Sequence, residues 1–218
     1  DYFFIDINNF RIDLTDGIFI QNVLLKVIPN TPALTSYTAI NNLGANIGVN
    51  IKDSKFLLDA TDINFAGDFT FVDGNSTTNK RNYFSNIGLE INGNGAPYNK
   101  INFVIGINTT IDGLSVFSSQ MPRINTTLFR ANGGYNEFKN TKTNTNFSDL
   151  NTIHFAGGIG KIENITDFNI GIATASKQSV EINNVNVKIL TAYAGSNYYI
   201  QYSVIRDLWD NRYNSTVT

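Results

Sequence analysis

Asn99-Lys100-Ile101-Asn102-Phe103-Val104-Ile105-Gly106-Ile107-Asn108 is the stretch on which the fold reading turns. Ile101, Phe103, Ile105 and Ile107 share one parity, and Asn102, Val104, Gly106 and Asn108 the other. Period two is the spacing that puts alternate side chains on one side of a strand. The same alternation recurs in Phe10/Ile12/Leu14, Ile87/Leu89/Ile91, Phe168/Ile170/Ile172, Val185/Val187/Ile189 and Tyr198/Ile200/Tyr202/Val204. Each reads as a half-buried antiparallel strand.

Residues that tolerate sharp reversals stand between these runs: Asp16-Gly17, Asp73-Gly74, Asn92-Gly93, Asp112-Gly113 and Asn132-Gly133. Asp16-Gly17 predicts a hairpin joining Phe10–Leu14 to Phe19–Ile28, and Asn92-Gly93 one joining Ile87–Ile91 to Ile101–Ile107. All four prolines fall outside the alternating runs, as ladder hydrogen bonding requires. Helical spacing is nearly absent, with short turns expected only at 52–58 and 204–210. The expected fold is all-β with little helix: an antiparallel, jelly-roll-like β-sandwich forming one domain over residues 1–218. The least apolar stretch, 132–151, is expected to be a long exposed loop. Asp6–Ile12 echoes Glu181–Val187, but no period of 20 to 50 residues is apparent of the kind a solenoid needs.

With 218 residues, 42% of them hydrophobic, the chain can bury a core, and its net charge is only -2. Polarity comes mainly from Asn, Thr, Ser and Gly, and Lys80-Arg81 is the closest approach to a basic cluster. Nucleic acid is therefore not an expected partner. Without cysteine there is no disulfide and no thiolate chemistry. The longest apolar run, Phe19–Ile28, is interrupted by Gln21, Asn22 and Lys26 and falls well short of the roughly 20 residues that cross a bilayer as a helix; membrane insertion is not expected. The chain opens at Asp1 rather than Met, which points to removal of a leader and to an extracellular, cell-surface or virion location.

Catalytic signatures are missing. His154 is the one histidine, and Ile153-His154-Phe155-Ala156-Gly157-Gly158 alternates like a strand, so a strand histidine is the simple reading. The glutamates Glu90, Glu137, Glu163 and Glu181 make a carboxylate pair arithmetically available, but no spacing selects one. Asp59-Ala60-Thr61-Asp62 and Asp73-Gly74-Asn75-Ser76 are the only calcium-like segments, and the second lacks the downstream Glu of an EF-hand. The expectation is a protein that is not an enzyme, with no metal and no cofactor.

Six Asn-x-Ser/Thr sequons occur, no more than this abundance of Asn, Ser and Thr gives by chance; Asn146, in the expected loop, is the best glycosylation candidate. Tyr193, Tyr198, Tyr199, Tyr202, Trp209 and Tyr213 cluster near the C-terminal end. Of these, Tyr198, Tyr199, Tyr202, Trp209 and Tyr213 form a candidate contact surface. Near the start, Phe3, Ile5, Ile7, Phe10, Ile12 and Leu14 make an apolar segment that must be paired, either within its own sheet or by strand addition to a neighbouring subunit.

These features point to a non-enzymatic structural or assembly subunit of a virion (capsid, spike or tail) or of an extracellular filament, its partners being copies of itself or other structural subunits. The alternative is a surface adhesin-like or carbohydrate-binding module with glycans as partners. Four short segments, Tyr83–Ile87, Asn102–Asn108, Gly133-Gly134-Tyr135 and Ile153–Gly158, occur in an order that resembles the MbnP-like periplasmic copper-associated β-sandwich proteins. The tryptophan-bearing segment that family carries ahead of the Gly-Tyr is missing, and no site is carried across.

Overall fold

Alternation of apolar residues makes a strand but leaves open which strand it pairs with, and that choice separates a sandwich from a solenoid. In the computed structural model every strand pairing among the described residues is parallel. The structure describes residues 3–7, 12–14, 18–27, 37–42, 48–60, 68–74, 80–93, 100–118, 126–144, 151–175, 178–193, 196–211 and 216–217.

The strands are β1 (Phe3–Ile7), β2 (Ile12–Leu14), β3 (Ile18–Gln21), β4 (Val23–Val27), β5 (Tyr37–Asn42) and β6 (Val49–Ala60). Next come β7 (Asp68–Gly74), β8 (Asn82–Gly93), β9 (Lys100–Ile107), β10 (Thr109–Ser118), β11 (Thr126–Lys139) and β12 (Lys142–Asn144). The remainder are β13 (Asn151–Thr174), β14 (Ser179–Tyr193), β15 (Asn197–Gln201), β16 (Val204–Asn211) and β17 (Thr216–Val217).

Three faces result. Face I stacks β3 on the first halves of β6, β8 and β10, then on β11, β13, β14 and β15. Face II stacks β1, β4, the second halves of β6, β8 and β10, and β12; β14 and β16 pair in the same way further on. Face III stacks β2, β5, β7, β9 and the first parts of β11 and β13. The chain visits III, I and II in turn and returns one rung higher, so the molecule is a parallel β-solenoid.

The antiparallel sandwich is thus corrected to a parallel solenoid. Ile87–Ile91 pairs with Ser54–Leu58 and Leu114–Ser118, not across Asn92-Gly93 with Ile101–Ile107. Ile12–Leu14 pairs with Ile40–Asn42, while β3 pairs with β6, so the Asp16-Gly17 hairpin is absent as well; residues 15–17 themselves lie outside the described set. The segments 52–58 and 204–210, expected as turns, are strand. Residues 132–144 of the expected loop lie mostly in β11 and β12; their polarity belongs to outward positions and corners.

Register explains the core. On face I the inward position is held in successive rungs by Ile20, Ile51, Phe84, Ile111, Phe138, Ile162, Ile182 and Ile200. Ile and Phe side chains stacked at the inter-strand spacing of about 4.8 Å pack in a column along the axis. Phe103 of face III closes edge-to-face on Phe56 (centroids 5.3 Å apart) and Phe84 (6.0 Å), so the three faces meet in one apolar interior. Each such buried side chain stabilises the fold by about 1.5–3 kcal/mol.

Two corners set the rung shape. Between faces I and II the backbone turns through positive φ at Asn22, Asp53, Asn86, Gly113, Asn140, Asn164, Asn184 and Tyr202. Asn is the non-glycine residue that tolerates this region best. The amides are exposed and bond from rung to rung: Asn164 Nδ2 donates to Asn140 Oδ1 (3.2 Å) and Asn184 Nδ2 to Asn164 Oδ1 (3.0 Å). Gly113 has no side chain to offer, and Asn140 Nδ2 donates instead to Asp112 Oδ1 (2.6 Å).

Between faces III and I two corner side chains, Asn82 and Asn136, are buried. Asn82 accepts from the Val49 amide (2.9 Å) and donates to the carbonyls of Gly74 (2.9 Å) and Ile107 (3.0 Å). Two rungs on, Asn136 accepts from the Thr109 amide (2.9 Å) and donates to the Gly133 carbonyl (3.0 Å). These side chains satisfy backbone groups that a bend away from the ladder would orphan.

Candidate functional site

A solenoid repeats its outward positions as faithfully as its inward ones, so surface chemistry is organised in columns along the axis. On face I one outward column runs Phe19, Asn50, Tyr83, Thr110, Glu137, Lys161, Glu181, Tyr199. Its neighbour runs Gln21, Lys52, Ser85, Asp112, Lys139, Glu163, Asn183, Gln201. Charge collects in the later rungs: Glu137, Lys161 and Glu181 alternate in sign directly above one another, as do Asp112, Lys139 and Glu163.

Lys161 and Glu163 form an ion pair, and Lys139 lies 3.6 Å from Asp112 and 3.8 Å from Glu137. The hydrogen bond that the Lys161 ammonium donates to Glu163 holds it above its ordinary range. Tyr135, beside this column, is raised first by burial and then by the charge of Glu137. Its ring also carries the Arg81 guanidinium, 5.7 Å from the centroid.

Over these rungs the surface is indented. A groove of about 400 Å³ is lined by Lys161, Glu181, Ile182, Asn183, Tyr199 and Gln201. A second, of about 180 Å³, is lined by Glu137, Lys139, Lys161 and Glu163. Lys161 borders both. Tyr199 is 53% exposed at one end of the larger groove. The arrangement offers one aromatic ring, two primary amides, and charges of both signs in a shallow site.

The sequence candidates separate in space. Tyr198 is buried, with its hydroxyl 2.7 Å from Thr174 Oγ1, so it belongs to the core rather than a contact surface. Tyr199 and Tyr202 are exposed. The Trp209 backbone is in β16 opposite Thr191; its side chain, with Tyr213 and Asn146, lies outside the described residues. Phe3, Ile5 and Ile7 are in β1, which pairs with β4 of the same chain; Ile12 and Leu14 are in β2, and Phe10 lies outside the described residues. His154 is half-buried in face III, in register with Arg130. Among the described residues no three His, Asp or Glu side chains gather as a metal site would require.

Lys139, Lys161, Asn183 and Gln201 escaped notice in the sequence, and Glu137, Glu163 and Glu181 carried no spacing that united them. The available signal was the four-residue phrase of apolar, polar, Asn, apolar: Phe84-Ser85-Asn86-Ile87, Ile162-Glu163-Asn164-Ile165, Ile182-Asn183-Asn184-Val185. Aligned on its Asn, that phrase superposes Lys161 on Glu181 and Glu163 on Asn183, while Tyr199 and Gln201 fall in a rung where Tyr202 takes the place of the Asn.

Compared with family models, curated proteins and solved structures, the chain matches none. The likeness to MbnP-like proteins is set aside on the fold itself: its four segments lie in parallel strands of a solenoid and not in a β-sandwich.

Proposed function

We propose that this protein is a rigid, non-enzymatic structural subunit of a virion (capsid, spike or tail) or of an extracellular filament. The observation that carries this reading is the rung-on-rung stacking: every strand pairing among the described residues is parallel, from the first described rung to the last. Among the described residues β1, β2 and β3 each pair on one side only, with β4, β5 and β6. A parallel stack of this kind extends along its axis wherever a further rung of matching register is supplied. The apolar segment of Phe3, Ile5, Ile7, Ile12 and Leu14 lies in the first described rungs, and strand addition by this segment is the contact with a neighbouring subunit that the proposal names.

Electron microscopy and light scattering over a concentration series test the proposal. Rods of regular width that lengthen with concentration are expected, and deletion of residues 1–14 should abolish assembly or folding. A chain that stays monomeric at high concentration, or a truncated form that still assembles, overturns it.

A further inference from the structure

We propose that the groove on face I between Lys161 and Tyr199 binds a neutral oligosaccharide, laid along the solenoid axis across the strands. Rungs about 4.8 Å apart set outward side chains at a repeat close to that of one unit in an extended sugar chain, so successive sugars fall over successive rungs. Peptides extended along strands would instead seek an unpaired strand edge, which this face lacks in its interior.

The chemistry of the lining fits a hydroxyl-rich ligand. Asn183 and Gln201 stand in adjacent rungs of one column, each offering an amide donor and acceptor to a pair of vicinal hydroxyls. Glu181 can accept from a hydroxyl and Lys161 can donate to one. Tyr199, 53% exposed, supplies a ring whose negative face attracts the electron-poor C–H groups on the flat side of a sugar.

Charge argues for neutrality in the ligand. Lys161 is committed to Glu163, and Lys139 to Asp112 and Glu137. A polyanion needs uncompensated cations, and here each lysine is answered by carboxylates. The volume of about 400 Å³ lies within the range of small-molecule sites. Lys161 also borders the smaller groove, so a longer chain can continue from Tyr199 toward Glu137.

The test is calorimetric titration of the full chain with neutral oligosaccharides of graded length, selected on an array that also carries acidic glycans. Binding is expected to tighten with chain length and to be insensitive to added salt. Tyr199→Ala should weaken it by about tenfold or more, while Tyr199→Phe, which keeps the ring, should stay close to wild type. Phe19→Ala, at the far end of the same column, should leave affinity unchanged. Thermal melts of the three variants establish that each is folded. Absence of any neutral glycan ligand, binding confined to acidic glycans and abolished by salt, or full affinity in Tyr199→Ala overturns the proposal. None of these outcomes bears on axial assembly, which is read separately by microscopy.

Discussion

Asn164 shows what a single corner residue contributes. Its backbone sits at φ 55, its Nδ2 donates to Asn140, and its Oδ1 accepts from Asn184. Alanine at this position loses both amide bonds and keeps the left-handed backbone, whereas glycine loses the bonds and relieves the backbone. Asn164→Ala should therefore destabilise by about 2 kcal/mol and Asn164→Gly by about 1 kcal/mol in denaturant titrations, the difference being the cost of Cβ in that region. Asn164 also heads a sequon, but a glycan on Nδ2 would displace the ladder bond. Gly113 and Gly158 illustrate the opposite constraint. A Cβ on Gly113 (φ +78) would make ordinary contact with the Asn86 amide at 3.4 Å, while one on Gly158 (φ +83) would run into the Gly134 carbonyl oxygen and lie 2.7 Å from the Gly133 carbonyl carbon.

At the scale of the strand, ion pairs tie neighbouring rungs of face II together. Lys55 in β6 pairs with Glu90 in β8, and Lys26 in β4 with Asp59 at 3.3 Å. The hydrogen bond from Lys55 pulls the Glu90 carboxyl below its ordinary range, against the opposing effect of burial. A depressed folded-state pKa means the unfolded chain takes up the proton first as pH falls. The stabilisation is therefore complete above the unfolded value near 4.5 and is lost as pH drops through the folded value. Glu90→Gln should flatten that part of the stability-versus-pH curve. Because the pair is in contact with solvent, the effect should be at most about 1 kcal/mol and shrink in high salt.

Strands of this kind were legible in the sequence because alternation is a local property: Ile101–Ile107, Ile87–Ile91 and Val185–Val187 all appear as strand. Their partners were not. Parallel pairing links residues separated by a whole turn of the solenoid, and that turn varies in length. Asn86 lies 33 residues from its ladder neighbour Asp53, Asn164 lies 24 from Asn140, and Asn184 lies 20 from Asn164. A repeat whose period drifts in this way leaves no fixed interval to find, and Asn-Gly pairs at corners imitate hairpin turns. The echo between Asp6–Ile12 and Glu181–Val187 is a further trace of a repeated unit; Glu181–Val187 spans a corner of the solenoid, and residues 8–11 lie outside the described set.

For the whole molecule, each rung touches mainly the rungs above and below it, so stability is closer to a sum of rung and neighbour terms than to one global quantity. Equilibrium unfolding is expected to depart from two-state behaviour, with circular dichroism and hydrogen exchange reporting different midpoints along the axis; coincident transitions by both probes would contradict this. Chain length and composition were enough to determine that a core can form, and local alternation that strands build it, since burial of alternate apolar residues depends only on local spacing. Which strands are neighbours, and hence which of Lys161, Glu181, Asn183, Tyr199 and Gln201 share a surface, was decided by the tertiary structure alone. Register across a parallel solenoid is set by inward stacking between rungs, an interaction between residues far apart in sequence that no single stretch encodes.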